Sequence, residues 1–251
     1  MTKISAFGDS VLRGVVIDRE TSDDSRIKYT FLQNNFTNIC ADRLGMEIMN
    51  YGKFGSTVDT GEKMLGRHIA SVRNSDCTLL EFGGNDCDYN WSAIADSPDS
   101  KHCPNNDPNT FSSKYRKLIA SVRALGSKPV LLSLPPLDSD RFFLHVTRGM
   151  DPKRKNAVLR WLGGSVGTIS TWHELYNLQL FKLGNVLDIP VIDITSAFLS
   201  RLNYRDYLCE DGIHPNEAGH SLIADAICSC IQVQPSFSLC LLLSLPYASD
   251  L

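Results

Sequence analysis

The sequence lacks any cluster of lysine and arginine residues, and it lacks an apolar run long enough to cross a bilayer. Its 25 basic and 28 acidic residues give a formal net charge of −3, so nothing in the charge favours nucleic acid as a partner. The longest apolar run, residues 237–247, is interrupted by serines and Pro246. It is far shorter than the ~20 residues of a membrane span. We therefore expect neither nucleic acid nor a membrane as a partner.

The eight cysteines include no CxxC pair. The first predicted strand begins at about Lys3, which leaves no room for a secretory leader. Without export, the cysteines are expected to be reduced thiols rather than disulfides or zinc ligands. These features predict a soluble cytoplasmic protein with no bound metal.

Apolar stretches of strand length alternate along the chain with stretches of helical spacing. The predicted strands cover a segment from about Lys3 to the turn at residues 8–10, and residues 46–51, 76–82, 128–134 and 190–194. The predicted helices cover residues 29–44, a segment after Thr57, and residues 111–125, 172–187 and 217–231. Residues 11–26, 87–109 and 137–171 are expected to be mostly loop, with one helix near 152–162. This alternation predicts an α/β fold with a parallel sheet covered on both faces.

No internal repeat or linker composition divides the chain, so a single domain is predicted over residues 1–231. The composition changes after that point, because residues 232–251 contain no lysine, arginine or glutamate. We expect this apolar tail either to pack on the domain or to supply a contact between copies of the chain in a homo-oligomer.

The first predicted strand ends abruptly at Gly8-Asp9-Ser10. In open α/β sheets the chemistry lies beyond the carboxyl ends of the strands, which makes Ser10 a candidate nucleophile. The alternative is a polar turn in which Asp9 or Ser10 only caps the following helix.

A second candidate group lies just before the final helix, where Asp211 precedes His214 by three residues on a turn that contains Gly212. At this spacing Asp211 can accept the proton on imidazole Nδ1 and leave Nε2 to take a proton from a serine. The alternative is that Asp211 only forms the turn and that His214 only begins the helix.

Four segments taken together resemble the sequence blocks of the GDSL/SGNH hydrolase family, in the same order and at similar spacing. They are Gly-Asp-Ser at 8–10, Asn-Tyr-Gly-Lys-Phe-Gly-Ser-Thr at 50–57, Gly-Gly-Asn-Asp at 83–86 and Asp-Gly-Ile-His-Pro at 211–215. The resemblance implies a flavodoxin-like three-layer α/β/α sandwich with a central five-stranded parallel sheet. It also implies hydrolysis of an ester without a cofactor, with Ser10 as nucleophile, His214 as general base and Asp211 as the residue that orients it.

The same resemblance implies an oxyanion hole made of the backbone amides of Ser10 and Gly55 and the side-chain amide of Asn85. Gly55 is preferred over Gly52 because of its offset from Asn50 and the Ser-Thr pair that follows it. The chain departs from the family pattern at Val11, which stands where a leucine would follow the Gly-Asp-Ser triplet.

A competing nucleophile is Ser165, because residues 163–167 fit the Gly-x-Ser-x-Gly pattern of α/β-hydrolases, and Asp193 or Asp211 and then His214 follow it in the required order. That pattern requires a strand directly before the serine and a helix directly after it. Residues 153–162 have a helical pattern, and residues 168–171 are rich in β-branched and hydroxyl side chains, which predicts a poor helix start. We therefore expect residues 163–167 to be a loop.

The substrate is predicted to lie against side chains from the two long connections, although each aromatic residue taken singly is more typical of the core than of a pocket. The candidates are Asp86, Tyr89, Trp91, Trp161 and Trp172. Aromatic walls without a long apolar channel favour a small ester, with an acetylated carbohydrate as the leading example. A lysophospholipase, a thioesterase or an acyltransferase could use the same site. A metal-dependent phosphoesterase is the more distant alternative, disfavoured because the histidines do not cluster with the aspartates; His220 is expected at the surface.

Overall fold

The computed structural model describes residues 1–22 and 27–233. Its core is a five-stranded parallel sheet in the order β4-β1-β5-β6-β7. These strands are β1 (Lys3–Gly8), β4 (Glu47–Asn50), β5 (Cys77–Glu81), β6 (Lys128–Leu132) and β7 (Val191–Ile192). A separate antiparallel pair consists of β2 (Val15–Ile17) and β3 (Tyr29–Phe31). The predicted parallel five-stranded sheet is confirmed.

Eleven α-helices and one 3-10 helix connect and flank the strands in the described part of the chain. The first six helices are α1 (Ser10–Arg13), α2 (Phe36–Leu44), α3 (Val58–Arg67), α4 (Ile69–Arg73), α5 (Trp91–Asp96) and α6 (Pro108–Ala124). The remaining elements are α7 (Ser139–Val146), α8 (Pro152–Trp161), α9 (Gly167–Leu187), α10 (Thr195–Leu199), the 3-10 helix Tyr204–Tyr207 and α11 (Glu217–Val233).

Alternation along the central strands sends neighbouring side chains to opposite faces of the sheet. On one face, Ala6 and Leu79 pack with buried residues of α2, α10 and α11. On the other face, Phe7, Leu80 and Leu131 pack with buried residues of α3, α6 and α9. The result is the three-layer α/β/α sandwich that the family resemblance implied. A third cluster, with contributions from α5, α7, α8 and α9, includes Trp91, Phe142 and Ile169.

Two sequence-based predictions of secondary structure are wrong near the start of the chain. Residues 29–44 do not form one helix: residues 29–31 are β3, and the helix begins at Phe36, where the Asn35 side chain accepts the amide hydrogens of Thr37 and Asn38. Residues 11–26 are not all loop, because they contain β2, which pairs with β3. The aromatic and β-branched residues of β3 satisfy a helical period, but their backbone groups bond to β2 instead.

The connection after β6 is more helical than predicted, since it contains α7 and the start of α9 as well as the predicted helix α8. In the described part of the chain, no helix combines the length and the apolar character needed to cross a membrane. From residue 234 onward, the predicted apolar tail lies outside the described residues.

Candidate active site

Ser10 lies at the carboxyl end of β1 as the first residue of helix α1. Asp9 is the N-cap of this helix, and its Oδ1 accepts the amide hydrogen of Val11 at 2.8 Å. Asp9 therefore caps helix α1, as the alternative interpretation of this turn proposed, and Ser10 does not cap it. The amide of Ser10 is one of the first amides of the helix, which have no acceptor within the helix.

Asp211 and His214 make a short, buried hydrogen bond on the turn before α11. His214 Nδ1 lies 2.6 Å from Asp211 Oδ2, while Oδ1 accepts the amides of Ile213 and His214 at 3.1 Å each. Gly212 is required between them: its φ is +78°, and a Cβ there would lie 2.6 Å from the carbonyl oxygen of Asp138. The sequence-predicted pair is thus brought together in the orientation that the resemblance implied.

The hydrogen bonds around Asp211 favour its ionised form. Burial raises its pKa, but the bonds from the His214 ring and from the two amides outweigh burial, so the pKa lies below its ordinary value. With Nδ1 held by this carboxylate, Nε2 of His214 is buried and has no hydrogen-bond partner among the described residues. Ser10 and His214 line the same cavity.

Two aromatic rings that sequence reasoning did not assign to the site cover His214. Tyr29 of β3 meets the imidazole edge-on at 5.2 Å, and Phe54 stacks on it at 5.8 Å. The Tyr29 hydroxyl also lies 3.5 Å from Nε2 of His145 on α7. The one sequence signal for this arrangement is the pair of strand-like triplets at 15–17 and 29–31, which the helical period of residues 29–44 obscured.

Asn85 follows β5 and is oriented by Asp9. Its Nδ2 donates to Asp9 Oδ2 at 2.8 Å, and Asn85 lines the cavity together with Ser10. A side-chain amide has two N–H groups, so one remains for a substrate oxygen. The structure therefore brings Asn85 and Ser10 to the same cavity, and the role of Asn85 as an oxyanion donor stays a prediction.

Gly55 lies in the turn after β4, where it is exposed and has a φ of +69°. It is adjacent in sequence to Phe54, which contacts His214, but it is not among the residues that line the cavity. The rival Gly52 donates its amide to Asn50 Oδ1 at 2.8 Å, so that N–H already has an acceptor. The role of Gly55 as an oxyanion donor stays a prediction.

The cavity has an empty volume of about 740 Å³, including the part that is open to solvent. Three of the predicted substrate residues line it: Tyr89, Trp91 and Trp172. Trp161 is not among the lining residues, but its ring packs against two of them, 5.0 Å from the ring of Tyr89 and 5.2 Å from that of Trp172. Ile169, on the same helix α9 as Trp172, also lines the cavity and was missed by sequence reasoning, and His173 of that helix lines it as well.

Asp86 points away from the cavity, which corrects its prediction as a substrate contact. Its carboxyl is fully buried, accepts the amide hydrogen of Val58 at 3.2 Å and bonds Asn106 Nδ2 at 2.7 Å. Burial raises the pKa of Asp86 to about 7. Thr57 is the N-cap position of α3 but makes no side-chain capping bond, so Asp86 caps the helix in its place.

Ser165 is exposed on the turn between α8 and α9 and therefore has no strand before it. The prediction of a poor helix start after it is wrong, because α9 begins at Gly167. His220 is also misplaced by the sequence reading: it is fully buried in α11, stacks on Phe36 at 5.8 Å and accepts that residue's amide hydrogen at Nδ1. Burial, reinforced by the charge of His214, lowers the pKa of His220 to about 4.

Among residues 1–22 and 27–233, no group of three or more His, Cys, Asp and Glu side chains is arranged to hold a metal ion.

The sequence model of the GDSL-like lipase/acylhydrolase family matches residues 6–222 of the chain. None of the curated proteins matches it.

Several solved structures share the fold. A lipase/acylhydrolase from Enterococcus faecalis matches with a TM-score of 0.64 and 20% identity, covering 92% of this chain and 96% of that chain. A catalytic mutant of an acetylxylan esterase from Geobacillus stearothermophilus matches with a TM-score of 0.62 and 18% identity, covering 93% and 95%. A lipolytic G-D-S-L family member from Veillonella parvula matches with a TM-score of 0.55 and 18% identity, covering 93% and 100%. At these sequence identities, the comparisons show a shared fold and nothing further.

Proposed function

The chain belongs to the GDSL-like lipase/acylhydrolase family, and on that premise we propose that it is a serine esterase that hydrolyses small carboxylic esters through an acyl-enzyme. The observation that carries this proposal is the state of His214. Its Nδ1 is held at 2.6 Å by Asp211, its Nε2 is unpartnered among the described residues, and the residue lines a cavity together with Ser10.

In the proposed mechanism, Ser10 Oγ attacks the ester carbonyl while His214 Nε2 takes the hydroxyl proton. The carbonyl oxygen becomes negative and accepts hydrogen bonds from the Ser10 amide, Asn85 Nδ2 and the Gly55 amide. His214 then gives its proton to the alcohol oxygen, which leaves. Water attacks the acyl-enzyme while His214 Nε2 takes a proton from it. The C–O bond to Ser10 then breaks, and His214 returns the proton to Ser10 Oγ as the acid is released.

No hydrogen bond joins Ser10 Oγ to His214 Nε2 in the free protein, since Nε2 has no partner among the described residues. Such bonds are often long in free enzymes and shorten when substrate binds. The proposed mechanism therefore requires the serine hydroxyl to rotate onto Nε2 once a carbonyl occupies the cavity.

The walls of the cavity support a short acyl group. Trp91, Phe142 and Trp172 line it as large rings held in a packed aromatic cluster, so they offer flat apolar contact area that suits a short acyl group or the face of a sugar. Asp88 also lines the cavity; its pKa is raised by burial, and its carboxyl accepts Trp91 Nε1 at 2.8 Å. The fold neighbour from Geobacillus is an acetylxylan esterase, which supports testing acetylated sugars first.

A substrate panel tests this proposal. The kcat/KM values of the wild-type protein would be compared for p-nitrophenyl acetate, butyrate, octanoate and palmitate, for an acetylated xyloside, for an acyl thioester and for a lysophospholipid. We expect the highest kcat/KM with acetyl esters and a steady fall with chain length. A steep rise toward the long-chain esters, or a clear preference for the lysophospholipid, would contradict the proposed substrate class.

A further inference from the structure

Two acidic side chains lie in contact beneath the candidate nucleophile. Asp9 is 2% exposed and Glu81, the last residue of β5, is 1% exposed. Neither carboxyl forms an ion pair with a lysine or arginine in the described part of the chain. Two neighbouring buried carboxylates without a cation would repel each other strongly.

The backbone holds these carboxyls together. The Asp9 amide donates to Glu81 Oε2 at 3.1 Å. Gly8 makes this approach possible, because a Cβ at that position would lie only 2.6 Å from Glu81 Oε2. The Glu81 side chain therefore packs against the turn that carries Ser10.

Asp9 in turn has a defined set of donors. Its Oδ1 accepts the Val11 amide and its Oδ2 accepts Asn85 Nδ2, each at 2.8 Å. The hydrogen bond from the Asp9 amide keeps the Glu81 carboxyl beside this side chain. Burial raises the pKa of Glu81 well above its ordinary value, and the charge of Asp9 raises it further; burial also raises the pKa of Asp9.

We propose that Glu81 is a positioning residue that keeps one proton and donates it to Asp9, so that the pair carries a single negative charge and Asp9 holds Asn85 in place. This inference rests on the proposed function, because it gives Asn85 its orientation in the oxyanion hole. A doubly ionised pair would place a second negative charge near the oxygen that becomes negative during catalysis. With the proton in place, Asp9 accepts from Asn85 and leaves the other Nδ2–H for the substrate.

Two substitutions of Glu81 distinguish the effect of its hydrogen-bond donor from the effect of its side-chain volume. In Glu81→Gln, the amide oxygen can accept from the backbone and the NH₂ group can donate to Asp9, so the proposal expects kcat close to that of wild type. In Glu81→Leu, Asp9 loses its donor, and we expect kcat to fall on the order of tenfold with little change in KM, as for a weakened oxyanion donor. A Glu81→Leu enzyme with wild-type kcat would overturn the proposal.

Infrared spectroscopy reads the proton directly and does not depend on activity. At about pH 8, where free carboxyls are ionised, the wild-type spectrum should contain a protonated carboxylic acid band that is missing from Glu81→Gln. Asp86 and the other buried carboxyls are present in both proteins, so their bands cancel in the difference between the two infrared spectra. Glu62→Gln, the same change on the exposed face of α3, is the matched control and should leave the band in place.

The two readouts distinguish the possible failures. If wild type hydrolyses no ester, the proposed function fails, while the infrared difference still reports on the proton. If the esterase is active but Glu81→Gln shows the same carboxylic acid band as wild type, the positioning role of Glu81 is wrong and the proposed function stands.

Discussion

His214 Nδ1 lies 2.6 Å from Asp211 Oδ2, three residues earlier in the chain, and both side chains are buried. The turn between them closes because the Cys209 amide donates to the His214 carbonyl oxygen at 2.8 Å. The Asp211 pKa lies below its ordinary value, since the bonds from His214 outweigh burial. This pairing fixes which imidazole nitrogen faces the cavity and leads to a prediction about pH.

We expect ester hydrolysis to slow as the pH is lowered, because a general base must be unprotonated to take the Ser10 proton. Protonation of Asp211 does not cause this loss near neutral pH, because its pKa lies below the ordinary value. The measurement is kcat/KM for p-nitrophenyl acetate against pH, with circular dichroism at each pH to exclude unfolding. A kcat/KM that does not change with pH while the protein stays folded would argue against His214 as the base.

Asn85→Ala should lower kcat by about 10²–10³, which corresponds to roughly 2.7–4 kcal/mol of transition-state stabilisation. The reason is that the substitution removes the Nδ2 donor that Asp9 holds beside Ser10. Steady-state kinetics would measure it, with Asn109→Ala on the exposed first turn of α6 as the control. Unchanged turnover in Asn85→Ala would remove Asn85 from the site.

Asp86→Ala should affect stability rather than substrate binding. Its buried carboxyl accepts the first amide of α3 and an Asn106 N–H, so its loss leaves buried donors unpaired, at a cost of about 1–3 kcal/mol. Urea unfolding would measure the loss, and Asp99→Ala at an exposed position is the control. A raised KM with unchanged stability would restore the view of Asp86 as a substrate contact.

The buried histidine in α11 should make the protein sensitive to acid. The pKa of His220 is about 4 in the folded protein and about 6.5 in an unfolded chain. Because the folded pKa is lowered, the unfolded chain binds more protons between these values, and stability falls as the pH decreases from 6.5 toward 4. At pH 5 the loss is about 2 kcal/mol.

Urea unfolding of wild type and His220→Asn at about pH 7.5 and pH 5 would measure this loss. The asparagine can accept the Phe36 amide hydrogen without titrating, so the difference between the two proteins should shrink at pH 5. His102→Asn at a less buried position is the control. An equal drop in wild type and His220→Asn would contradict the assignment of acid sensitivity to His220.

The central sheet was predictable because apolar runs such as residues 76–82 have strand length and end in turns, whatever packs on them. Strand β3 was not, because Phe31 and Leu32 fit one helical period with Phe36, whereas residues 29–31 pair with the preceding strand β2. Pairing with another segment of the chain overrides local spacing.

The helix start at Gly167 shows a similar override. Residues 168–171 are poor helix formers, but Ile169 is buried in the third hydrophobic cluster, and the Ser170 and Thr171 hydroxyls both donate to the Gly167 carbonyl oxygen. Tertiary packing of one apolar side chain therefore decides the conformation of a segment whose own preference is weak.

The family resemblance predicted roles for Ser10, Asn85, Asp211 and His214. The structure places Ser10, Asn85 and His214 along one cavity and Asp211 on the turn that carries His214. It could not separate Asn85 from its neighbour Asp86, because the two side chains leave the same turn in opposite directions. Asn85 bonds Asp9, and Asp86 bonds the start of α3. Only the fold distinguishes a substrate-facing position from a buried capping position at adjacent residues.

The most direct test of the account is hydrolysis of p-nitrophenyl acetate by wild type, Ser10→Ala and Ser165→Ala, each with and without EDTA. Ser10 lines the cavity with His214, whereas Ser165 lies on an exposed turn. We predict that Ser10→Ala abolishes the activity, that Ser165→Ala retains it, and that EDTA changes neither result. Full activity in Ser10→Ala, loss of activity in Ser165→Ala, or loss of the wild-type activity with EDTA would contradict the assignment of Ser10 as a metal-independent nucleophile.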